Sequence, residues 1–153
     1  AVHPYYDSQT GSAYDIAMMT LARVPNPAIG PLPVIKSRIT GAGDMATAFG
    51  YGTNSQGEIG VLRAVDVLIE NVSAGNLTAT LGNSDGSICQ GDSGGPLIVK
   101  TESGNALGGV NSWGSSTASQ CASGGADIFG FTNIQNPTIL EFMTSYAPDI
   151  TVW

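Results

Sequence analysis

The run Gly91-Asp92-Ser93-Gly94-Gly95-Pro96 sets a serine between glycines, an arrangement suited to a nucleophile. A free serine hydroxyl attacks poorly at neutral pH, so a base must take its proton as attack proceeds. Glycines on both sides let the backbone turn sharply and let a substrate carbonyl come close. The pentad also satisfies G-x-S-x-G, the strand-to-helix turn of α/β-hydrolases, in which an acid and then a histidine follow the serine along the chain. Here Pro96 follows at once, then Leu97-Ile98-Val99, which favours a strand. No histidine lies after Ser93, so that architecture is excluded.

The longer string Cys89-Gln90-Gly91-Asp92-Ser93-Gly94-Gly95-Pro96-Leu97 closely resembles the nucleophile loop of the chymotrypsin/trypsin family of serine proteases. Other runs support the resemblance in the family's order. Val2-His3-Pro4-Tyr5-Tyr6 is similar to its V-H-P-x-Y, and Asp15-Ile16-Ala17-Met18-Met19-Thr20-Leu21 to the D-I-A-L-L-x-L around the catalytic aspartate. Val110-Asn111-Ser112-Trp113-Gly114 resembles V-x-S-W-G, the edge that pairs with substrate backbone, and Phe131-Thr132-Asn133-Ile134 resembles the Y-T-x-V strand before the terminal helix. The resemblance spans essentially the whole chain.

It implies a peptidase that works through an acyl-enzyme on Ser93, with Asp15 orienting the base and the amides of Gly91 and Ser93 stabilising the oxyanion. Asp92 matches the aspartate that a newly released amino terminus pairs with when a zymogen is activated, so a cationic partner is expected for it. Ser87, Ile88, Gln90, Ser112, Trp113 and Gly114 fall at substrate-binding positions. Ser87 stands at the pocket floor where trypsin-type enzymes carry Asp, and Gly114 leaves one wall open, which implies an apolar or aromatic preference. Phe129 could narrow that pocket and Asp127 could enter it to select basic residues. No cofactor is implied, and polypeptides are the expected substrates.

The single histidine, His3, does not fit the role of base. It lies about a dozen residues before Asp15, in the H-P-x-Y run, whereas the family's base comes from an A-A-H-C motif far upstream. The base is therefore expected on an amino-terminal fragment held as a separate chain, or on upstream residues. On this reading the chain carries only the closing strands of a first barrel, whose unpaired edges and apolar faces need covering. A catalytically inactive homologue serving as a binding module is the competing class.

The bulk composition excludes some function classes. Five Lys and Arg against twelve Asp and Glu give a net charge of −7, which argues against nucleic acid, since phosphate binding needs clustered cations. No stretch is apolar and long enough for a membrane-spanning helix. Cys89 and Cys121 lack zinc-site spacing, and one histidine cannot complete such a site. A disulfide is expected instead, closing a loop of about thirty residues and contributing about 3–4 kcal/mol on the chain-entropy model. It implies an oxidising, secreted setting. Asn71-Val72-Ser73 and Asn76-Leu77-Thr78 are glycosylation sequons, meaningful in a eukaryotic source.

The elements that position these residues read mostly as strands. Residues 13–21, 45–51, 60–69, 77–81, 96–100, 106–113 and 128–134 are apolar or alternating, with Gly, Asn, Ser and Pro between them. Only the tail reads as a helix, with Asn136 as cap, Pro137 in the first position, and Ile139, Leu140, Phe142 and Met143 on one face. The expected fold is all-β, a chymotrypsin-like double antiparallel β-barrel with a C-terminal α-helix. Residues 1–30 would hold the end of the first barrel and a connector, 31–135 the second barrel, and 136–153 the helix and tail. The proline-rich stretch 25–33 is the expected connector.

Overall fold

The computed structural model describes residues 1–9, 13–36, 40–54, 56–81, 86–115 and 128–153. Six strands carry the fold: β1 (Met45–Gly50), β2 (Arg63–Val72), β3 (Asn76–Leu81), β4 (Pro96–Thr101), β5 (Gly104–Ser115) and β6 (Ile128–Asn133). All neighbouring pairs are antiparallel, in the order β1-β2-β3-β6-β5-β4, and β4 returns to β1 to close a barrel.

Period-two alternation explains why these strands close around a core. Ala46 and Ala48 on β1, Val65, Val67 and Ile69 on β2, and Leu77 and Ala79 on β3 point inward, with Leu97 and Val99 on β4 and Phe129 and Phe131 on β6. Small alanines face the large rings and branched chains, so the narrow lumen fills without overpacking. Closure leaves β1 and β4 paired to each other instead of open to solvent.

A second apolar cluster lies outside the lumen. The helix α1 (Pro137–Tyr146) buries Ile139, Phe142 and Met143 against Val34, Ile134 and Ile16, with Leu140 packed alongside. Val34 also bridges in parallel to Leu107 of β5 and to Val152 of the tail. The helix thus ties the amino-terminal segment to the barrel wall. No helix among the described residues is long and apolar enough to cross a membrane.

Two expectations are corrected. Residues 13–21 form no strand; they hold only the isolated bridge Val2↔Ala17. Tyr14 has φ 61°, which breaks an extended run, and an apolar sequence becomes a strand only where a partner supplies a ladder. No strand is formed within the described part of residues 1–30. The strand expected from residue 60 begins instead at Arg63, because Gly60 has φ 81° and belongs to a turn.

The helix cap matches the sequence reading. Asn136 Oδ1 accepts from the amides of Thr138 at 2.8 Å and Ile139 at 3.4 Å, and Nδ2 donates to the Ala74 carbonyl at 2.6 Å. Asn136→Ala should therefore lower unfolding free energy by about 1–2 kcal/mol, read from the denaturant midpoint at unchanged slope.

Candidate active site

Ser93 lies in the tight turn that precedes β4. Gly91 and Gly94 have φ 96° and 81°, values open to glycine and strained for other residues. The Gly95 amide closes the turn on the Asp92 carbonyl at 2.9 Å. Ser93 is exposed, and its hydroxyl makes no hydrogen bond among the described residues. The amides of Gly91 and Ser93 are likewise without acceptors among the described residues, so both can donate to an incoming oxygen.

Two consecutive residues of β5 bring the separated motifs together. At Asn111, the carbonyl accepts the Gly94 amide at 2.8 Å and the amide donates to the Gly95 carbonyl at 2.9 Å. At Ser112, Oγ donates to Asp15 Oδ2 at 2.7 Å. The serine turn and the aspartate therefore hang from neighbouring residues of one strand. Asp15 is half-buried, and its Oδ1 makes no hydrogen bond among the described residues, leaving a free acceptor. From β6, Thr132 Oγ1 donates to the Asp15 carbonyl at 2.7 Å. Thr132 lies in the Phe131–Ile134 run, but no linear spacing marks it for a role, since it meets Asp15 only through the fold.

His3 is placed well away from a base's role. It is 2% exposed, stacks on Tyr14 at 4.9 Å, meets the Phe142 ring edge-on at 4.8 Å, and accepts the Tyr5 amide through Nδ1 at 3.1 Å. Its amide donates to the Ile16 carbonyl at 3.0 Å, beside the Val2↔Ala17 bridge. His3 is thus a packing residue that fixes the segment carrying Asp15.

Asp92 is half-buried under the serine turn. Oδ1 accepts the Gly52 amide at 2.7 Å and Oδ2 the Cys89 amide at 2.8 Å. The ion pair found among the described residues is Arg63 with Glu58, so the cation expected for Asp92 is not supplied there. The carboxylate borders a cavity of about 220 Å³ that Ser87, Ile88, Cys89 and Asn111 also line. Asn111 is buried, and its Oδ1 has no hydrogen-bond partner among the described residues, so it can accept a further donor.

The remaining expected site residues lie on the serine turn and on β5. Gln90 and Gly114 are exposed, and the Gln90 carbonyl accepts the Thr53 amide at 2.9 Å. Ser112 spends its hydroxyl on Asp15. Trp113 is half-exposed and lies against Gly130, where any Cβ would overlap the indole. Phe129 belongs to the barrel core. No described cysteine is free. Cys121 and Asp127 lie outside the described residues, so their expected roles are not placed.

Gly52 is required by close approach. A Cβ there would stand 2.6 Å from Asp92 Oδ1 and 2.8 Å from the Asp92 backbone nitrogen. Gly52→Ala should destabilise the protein by about 1–3 kcal/mol, seen as a lower denaturant midpoint, because the displaced atoms are main chain as well as carboxylate.

The family model described as Trypsin matches residues 1–136. No curated protein matches the chain. Matched over most of its length, and built on a closed antiparallel barrel followed by a helix, the chain belongs to the trypsin family of serine proteases.

Proposed function

We propose that this chain is the nucleophile-bearing part of a secreted serine endopeptidase whose base histidine comes from an upstream segment or a second chain. The observation that carries this reading is the pairing of the Ser93 turn and Asp15 with consecutive residues of β5, while the one histidine is buried elsewhere. In the reaction, Ser93 Oγ attacks the scissile carbonyl as the incoming imidazole takes its proton. The Gly91 and Ser93 amides donate to the oxyanion, where losing one such donor typically costs about 3–4 kcal/mol. The C–N bond then breaks, the imidazolium protonates the departing amine, and water hydrolyses the acyl-enzyme through the same base. Asp15 Oδ1 accepts from the imidazole, holds its tautomer and stabilises its cation.

The partner's docking surface has support in the apolar ground around Ser93. A cavity of about 550 Å³ bounded by Leu32, Phe49, Tyr51, Leu62, Pro96 and Ile98 adjoins the Ser93 turn. Leu32, Tyr51 and Leu62 are largely exposed, as are Met19, Leu21, Val24 and Ile29 of the preceding segment. A surface of this kind suits a covering polypeptide, and the histidine-bearing segment is the one the chemistry requires.

Activation follows from the cavity beneath Asp92. Each Asp92 oxygen has one amide donor and can accept another, and Asn111 Oδ1 has none. An amino-terminal ammonium carries three donors and a positive charge, so a newly released terminus fits both needs and would pair with Asp92. A bridge between Cys89 and Cys121 belongs to the same reading, as does the oxidising compartment in which it forms.

A fluorophosphonate probe should label Ser93 when the histidine-bearing segment is present, and Ser93→Ala should abolish labelling. An intact, folded assembly that leaves Ser93 unlabelled would make the chain a binding module. The pocket-floor residues Ser87 and Ile88 carry no charge, so peptides with Phe or Ala before the cleaved bond should be hydrolysed faster than those with Arg. A clear Arg preference in kcat/KM would overturn the apolar assignment.

A further inference from the structure

We infer that Thr132 is a positioning residue for the reaction, acting through the main chain of Asp15; this rests on the reading of Asp15 as the catalytic aspartate. Asp15 sits in a segment with little structure of its own. Its neighbours contribute one isolated bridge, Val2↔Ala17, and Tyr14 just before it has a φ of 61°. A non-glycine residue in that region costs about 1–2 kcal/mol and persists only where surrounding contacts impose it. The location of the carboxylate is therefore decided by whatever grips the segment from outside.

Two hydroxyls on neighbouring strands do so. Ser112 of β5 holds the side chain through Oδ2, and Thr132 of β6 holds the carbonyl, each at 2.7 Å. The buried Ile16 and the His3 amide hold the backbone on the far side of Asp15. Among the described residues, the Thr132 bond adds the one grip on the Asp15 carbonyl itself, while Ser112 stops the side chain rotating. Together they fix both ends of the residue. Thr132 is completely buried between Phe131 and Asn133, and pairs with Val110 of β5 and Asn76 of β3. A valine has nearly the same shape and no hydroxyl to satisfy, so packing alone gives no reason for a threonine. The acceptor that repays its desolvation is the Asp15 carbonyl.

The test uses the complete protease, with its histidine-bearing segment. Thr132→Val should lower kcat about tenfold with KM little changed, because a misplaced catalytic group weakens the transition state more than substrate binding. Thr132→Ser should restore most of the loss. The acid limb of kcat/KM should also move. A carboxylate drawn away from the imidazolium stabilises that cation less, the base becomes a weaker proton acceptor, and the limb shifts to lower pH. A purely structural threonine would lower Tm and leave this limb in place. Thr132→Ala, which adds no bulk, gives the same readings should the valine variant fail to fold. Unchanged kcat and an unmoved acid limb in a folded variant overturn the inference. Asp15→Asn separates the two readings: if it leaves kcat intact, the assignment of Asp15 fails; if it abolishes kcat while Thr132→Val does not, only the role of Thr132 fails.

Discussion

The antiparallel pairing of β5 with β4 on one side and β6 on the other fixes where Asn111 and Ser112 stand, and the candidate site is built from that placement. Asn111 exchanges both of its backbone hydrogen bonds with the serine turn, and Ser112 gives its hydroxyl to Asp15. Register shifts accompany the pairing at both places, between Leu97 and Ile98 on β4 and between Asn111 and Trp113 on β5. Such irregularities turn a strand locally and re-aim its side chains. They lie where the ladder must leave backbone groups for the serine turn.

The amino-terminal segment is held to this frame by contacts of several kinds. His3 packs between Tyr14 and Phe142, Ile16 enters the cluster beneath α1, and two hydroxyls from the barrel reach Asp15. The neutral bond from Thr132 nets about 1 kcal/mol, an aromatic pair about 0.5–1.5 kcal/mol, and the bond from Ser112 to the Asp15 carboxylate about 1.5–3 kcal/mol. Their combined effect is positional. They hold one carboxylate in place on a stretch of chain that forms no regular element, and they leave its second oxygen open.

Asp92 shows how a charge can be lodged half-buried under a turn. The chain surrounds it with amides from Gly52 and Cys89 and keeps glycine where any side chain would collide with it. Charge-assisted bonds of this kind are stronger than neutral ones. The neighbouring cavity and the unpartnered Asn111 oxygen leave the arrangement receptive to a further donor.

Much of this was legible in the linear order of residues. Alternation in Met45–Gly50, Asn76–Leu81 and Pro96–Thr101 marks strands because one face must be buried, and Asn136-Pro137 marks a helix start because its first amides need an acceptor. The Gly91-Asp92-Ser93-Gly94-Gly95 run foretells a tight turn with an exposed hydroxyl, since local backbone sterics decide it. Residues 13–21 misread as a strand because their apolar content says nothing about whether a partner ladder exists. The meeting of Asp15 with Ser112 and Thr132 spans about a hundred residues of chain and depends on barrel closure and on which strand follows which around it. Sequence alone determined the chemistry available to this protein, because side-chain type and local turn geometry are short-range properties. Tertiary structure decided which groups share a site, because hydrogen bonds between distant segments exist only once the sheet has set their separation.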